Sequence, residues 1–208
     1  MRAQSQTFEL ILTEGFRSTD EIEHLAKMLP LREPVILSRC SAGELPQYAE
    51  ILGSAIEWLV LGAPAAIFLK SYLSKLGELS AKATVEFLKK KEASEGTGSL
   101  IKVAEALALL RASQGENDFV VIGVSLLSDF DGAVLRISSV DPIEIAIQLS
   151  AFVCHVEALE SAMREEMAAG RVPTGNAVVS VQTDGTLIVE WMDRATTGIH
   201  KRKIGSVD

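Results

Sequence analysis

Apolar and polar side chains alternate over Thr7–Thr13 (TFELILT). Phe8, Leu10 and Leu12 share one face against Glu9 and Ile11, which is the two-residue period of a strand. Gly15 turns the chain. Ser18-Thr19-Asp20 then offers N-cap residues, and Glu21 and Glu23 place negative charge in a first helical turn, where the helix dipole favours it. Ile22, Leu25, Ala26 and Leu29 form an apolar stripe that Pro30 terminates, so the spacing predicts a helix over Asp20–Met28. After Glu33-Pro34, Val35-Ile36-Leu37-Ser38 reads as a short second strand. The opening is strand–helix–strand, with a right-handed crossover if the two strands are parallel in one sheet.

The pattern changes at Ile51–Leu69 (ILGSAIEWLVLGAPAAIFL), nineteen residues with a single charge at Glu57. A helical region is predicted from about Gln47 to Lys91, with a kink or break near Gly62-Ala63 because Pro64 removes a backbone donor. Beyond the break Leu69, Leu73, Leu76, Ala83 and Phe87 share a face, while Lys70, Lys75, Lys82, Lys89 and Lys90 lie mostly off it. Glu92–Ser99 is a polar, glycine-containing loop and the best candidate boundary. A further helix is expected over Leu100–Ala112.

The second half is more sharply punctuated. Asp118–Leu126 is a nearly continuous apolar strand, the pattern of a strand covered on both faces. Asp129-Phe130-Asp131-Gly132 turns it, and Ala133–Ser139 returns as a strand. Asp141-Pro142 opens the best-marked helix, with Asp at the N-cap, Pro in the first turn and Gly170 past the end. Its apolar face is Ile145, Leu149, Phe152, Val156, Leu159, Met163 and Met167, spaced by threes and fours as in a coiled-coil seam. Ala177–Thr183 and Thr186–Met192 flank Asp184-Gly185, the signal of a two-residue type I′ hairpin. A last strand is expected over Ile199–Ile204.

Composition narrows the classes of function. The chain has 208 residues, 48% apolar and 23% charged, a net charge of −8 and a mean hydropathy of +0.24. That is long enough for a substantial core. Its acidity repels phosphate backbones, so nucleic acid is not an expected partner. Cys40 and Cys154 lack the spacing of a disulfide framework or a zinc site. No secretory signal pattern is present at the N-terminus, and a reducing, cytoplasmic setting is the expectation.

Asp129-Phe130-Asp131-Gly132-Ala133-Val134-Leu135 resembles the first motif of the haloacid-dehalogenase-like phosphatases, in which a strand delivers DxDGT. The resemblance implies Asp129 as the nucleophile, Asp131 as the acid/base and Mg²⁺ to offset charge. It covers about seven residues. Ala133 replaces the usual threonine, a returning strand follows, and Asp-Gly between apolar runs is turn chemistry. The turn reading is therefore preferred. His24, His155 and His200 are mutually out of ligand spacing, and the neighbours Cys154 and His155 point about 100° apart on a helix. No catalytic, cofactor-binding or metal-binding residue is assigned.

These patterns predict an α+β protein: a mostly antiparallel sheet with long packed helices, opened by the strand–helix–strand unit. Residues 1–95 and 96–208 are candidate lobes that could also form one domain. The expected function is a non-catalytic interaction or regulatory module that self-associates through its apolar helices, its partner being another protein or itself. The expected interaction surface is Trp58, Leu59, Leu61, Phe68, Leu69 and Leu73. A membrane-associating effector or adaptor using residues 51–69 ranks second, since a spanning helix needs about 20 apolar residues and Pro64 and Glu57 interrupt this one. An Mg²⁺-dependent phosphatase using Asp129 and Asp131 ranks last.

Overall fold

The computed structural model describes residues 8–14, 16, 19–37, 46–54, 58, 98–125 and 132–205. The opening unit follows the predicted order. Strand β1 (Glu9–Thr13) leads into helix α1 (Thr19–Ala26) and strand β2 (Val35–Leu37), and β1 and β2 pair in parallel. Leu10, Leu12 and Leu25 are buried, and the period-two face of β1 and the stripe of α1 meet in the core.

Strand β3 (Tyr48–Ser54) departs from expectation, because its residues were predicted to begin a long helix. It lies between β1, antiparallel, and β4 (Phe119–Ser125), parallel, in register from Tyr48↔Phe119 to Ser54↔Ser125. Two flanking strands supply all its backbone partners, and that context outweighs a local pattern of small and apolar residues that suits either structure. The predicted helix beyond Trp58, the break at Pro64 and the loop at 92–97 lie outside the described residues.

Helix α2 (Gly98–Ala112) precedes β4, and β4 turns back into β5 (Ala133–Ile137) as an antiparallel pair. The segment predicted as one helix from Pro142 forms two: α3 (Pro142–Cys154) and α4 (Val156–Ala168), bent by 55°. Asp141 caps α3 as predicted, its Oδ1 accepting from Ile143 N–H at 2.9 Å. The bend sits at His155, whose Nδ1 lies 2.8 Å from Ala151 C=O and whose ring packs against Gly205. Beyond α4 come β6 (Ala177–Val181), β7 (Leu187–Met192) and β8 (Ile199–Ile204). The β6–β7 hairpin is present but not as a two-residue type I′ turn. Gln182 N–H donates to Thr186 C=O, Gly185 alone in the connection takes positive φ (78°), and Asp184 Oδ1 accepts from both Thr186 N–H and Oγ1–H. Those bonds to Thr186 select a three-residue connection, Thr183–Gly185.

All eight described strands form one sheet in the order β2-β1-β3-β4-β5-β6-β7-β8. Four of its seven pairings are antiparallel and three parallel. The protein is α+β, with a mixed sheet. Because β3 and β4 are neighbours, the two halves of the chain share that sheet. Two rows of side chains lie on one face of it: Leu12, Ala49, Val120 and Ile137 across four strands, and Leu10, Ile51, Ile122, Leu135, Val179 and Val189 across six. All are buried, and together with Leu107, Leu110, Leu149 and Phe152 from α2 and α3 they make a single core. The seam predicted after Pro142 belongs to it, with Ile145, Leu149, Phe152, Val156, Leu159 and Met163 all buried.

Candidate functional site

Trp58 lies against the middle of the sheet and is 0% exposed. Its indole packs on Phe8 with ring centroids 4.7 Å apart, and its Nε1–H donates to Gly123 C=O at 2.9 Å. Gly53 makes this possible: a Cβ there would stand 2.7 Å from the Phe8 ring and 2.8 Å from Trp58 Nε1. Trp58, expected on an interaction surface, is therefore a core residue whose one polar atom is satisfied. Leu59, Leu61, Phe68, Leu69 and Leu73 lie outside the described residues.

Asp129 and Asp131 also lie outside them. The described end of their motif is a backbone device. Gly132 has φ 137°, and a Cβ on it would come within 2.4 Å of Val124 C=O. Only glycine fits there, and β5 then returns antiparallel to β4. Cys154 ends α3 half-buried, and burial pushes its thiol up from the ordinary value, which favours the protonated, unreactive form. His200 stacks on Trp191 with centroids 5.6 Å apart. Among the described residues no group of three His, Cys, Asp or Glu could hold a metal ion.

Two polar clusters were not anticipated. On the sheet face opposite the helices, Tyr48 Oη–H donates to Glu50 Oε2 at 2.6 Å, and Glu50 is buried. Burial first, and then the bond to Glu50, push the Tyr48 phenol well above its ordinary range. Arg136 lies over the Phe119 ring, 4.2 Å from its centroid, on the same face. The second cluster joins α4 to β8. Buried Glu166 receives Arg171 Nε–H at 2.5 Å and Arg202 Nη1–H at 2.9 Å, and Arg202 also reaches Glu165. The Arg171 bond, then Arg202, hold the Glu166 carboxyl below its usual range against the opposing effect of burial. Residues far apart in sequence meet in both clusters or are buried by distant strands, so no local spacing announces them. Glu50 and Glu166 each accept a hydrogen bond from within their cluster, and both clusters read as architecture.

The sheet's two edges differ in chemistry. At one end β8 reads Ile199-His200-Lys201-Arg202-Lys203-Ile204; Lys201 pairs with Glu190 and Lys203 with Asp184. At the other end β2 is Val35-Ile36-Leu37, three apolar residues that are 51%, 53% and 45% exposed. Among the described residues β2 has β1 on one side and no strand on the other. An exposed apolar edge is a template for another strand. Comparisons with protein-family models, curated proteins and solved structures return no match to this chain. The edge thus stands on its own chemistry as the candidate site.

Proposed function

We propose that the chain is a non-catalytic interaction or regulatory module that self-associates. The supporting observation is the uncharged, solvent-facing β2 edge in a molecule whose opposite edge carries a basic run. The described apolar helices α2 and α3 bury their faces in the chain's own core. Among the described residues the β2 edge is an exposed apolar surface, while residues 59–91 of the expected helical region lie outside them. Light scattering behind size exclusion tests the reading. The weight-average mass should rise above 22.4 kDa as concentration increases, whereas a monomer at every concentration would overturn it.

A further inference from the structure

We propose that Asp184-Gly185, at the tip of the β6–β7 hairpin, is a covalent modification site where aspartate isomerises to isoaspartate, and that Thr186 holds the folded chain back from that reaction. The chemistry is internal to the backbone. The Gly185 nitrogen attacks the Asp184 carboxyl carbon, an N–Cγ bond forms, and the carboxyl OH leaves with the amide hydrogen as water. The five-membered succinimide then takes one water back. Opening at Cγ restores aspartate, and opening at the main-chain carbonyl carbon routes the backbone through the side chain as isoaspartate. Atoms balance over the two steps, and water is the sole co-reactant. Glycine suits the attacking position because it has no side chain to hinder the nitrogen. The Asp184 side chain is 57% exposed, so water reaches it.

In the fold both reacting groups are engaged elsewhere. Gly185 N–H donates to Gln182 C=O at 2.9 Å, so the nucleophile is pinned in the turn. Asp184 Oδ1 accepts from Thr186 N–H at 3.0 Å and from Thr186 Oγ1–H at 2.6 Å. Those two bonds, ahead of the Lys203 ammonium at 3.5 Å, hold the carboxyl below its ordinary range. The ionised form is a poor electrophile, because the departing oxygen leaves as water only from the protonated acid. Thr186 is buried, so its donors have no water to turn to when the carboxyl moves away. Isomerisation therefore proceeds through a local opening of the hairpin tip, the kind of motion that loops undergo far more readily than global unfolding. Its product lengthens the Thr183–Gly185 connection by one backbone atom and takes the acceptor away from Thr186.

Ageing the full chain at neutral pH tests both parts. Samples of wild type, Thr186→Val, Thr186→Ser and Asp184→Glu are digested with trypsin, and isoaspartate at position 184 is read by electron-transfer fragmentation of the Val172–Arg194 peptide, which keeps it apart from the other Asp-Gly pair at Asp131-Gly132. Wild type should isomerise about tenfold faster in urea than in buffer. In buffer, Thr186→Val should isomerise about tenfold faster than wild type, the change that a lost hydrogen bond to a charged acceptor brings. Thr186→Ser, which keeps the hydroxyl, should follow wild type, and Asp184→Glu should give no product, since its longer side chain cannot close the five-membered ring. Circular dichroism in buffer verifies that each variant is folded, and Thr186→Ala replaces the valine variant if that one is not. Absence of isoaspartate at 184 in urea overturns the site. Equal wild-type rates in urea and buffer overturn the protection, and a folded hydroxyl-lacking variant that ages no faster than wild type overturns the role of Thr186.

Discussion

Tyr48 and Glu50 are two positions apart on β3, so their side chains emerge on the same face of the sheet and the phenol reaches the carboxylate at 2.6 Å. The sequence Tyr-Ala-Glu contains that spacing, but its meaning depends on Tyr48–Ser54 being a strand. In the helix predicted from the local pattern, residues two apart point to different sides. The pair has a consequence for alkaline stability. The folded phenol holds its proton more tightly than the unfolded one, so the contribution is complete below the ordinary tyrosine value of 10.0 and is lost as pH rises above it. Urea midpoints of wild type should fall between about pH 9 and 11, and those of Tyr48→Phe should fall less. Equal slopes would show that the phenol is not linked to folding.

At the scale of elements, helix ends were legible and helix continuity was not. Asp141-Pro142 marks the start of α3 by chemistry confined to one turn, and the structure forms that cap. The bend at His155 depends on Gly205, fifty residues away in β8's tail, where a Cβ would stand 2.1 Å from His155 Nε2. A periodic apolar face runs through the bend because both helices bury it in one core. What ties α4 down is Glu166, held by Arg171 beyond the helix and by Arg202 from β8. Glu166→Gln should destabilise the protein by about 1–3 kcal/mol, since two guanidinium groups lose a charged acceptor. The carboxyl is held low in the folded state, so its contribution is present above the ordinary carboxylate value and is lost as pH falls through the lowered one. Acid unfolding of the glutamine variant should therefore be less steep than that of wild type. A glutamine variant matching wild type in midpoint and acid slope would leave the cluster without a role in stability.

For the whole molecule, the decisive contact is β3 beside β4. Seven consecutive register pairs join a strand from each half of the chain, and Trp58 from the first half donates to Gly123 in the second. One core with one central sheet should unfold as one cooperative unit. Trp58 and Trp191 are buried at well-separated strands of the sheet and make natural reporters. In denaturant, Trp191→Phe read through Trp58 fluorescence should give the same transition as circular dichroism on that variant, and so should Trp58→Phe read through Trp191. A fluorescence midpoint displaced from the dichroism midpoint in either variant would mean that the middle of the sheet and its β7–β8 end open separately.

Sequence alone determined what short-range chemistry can encode. The alternation in Phe8–Leu12, the stripe of α1, the continuous apolar run of β4 and the cap at Asp141 each require only neighbours within a turn or a strand, and each appears where the pattern places it. The α+β class followed from those elements in order. Tertiary structure decided everything that needs a distant partner. It made Tyr48–Ser54 a strand by flanking it with β1 and β4, and it enclosed Trp58 over Gly53. It bent α3 from α4 at His155, and among the described strands it placed β2 at the edge of the sheet. An apolar run states that a segment must be covered. Which surface covers it, and which one remains open, is fixed only when elements far apart in the chain come together.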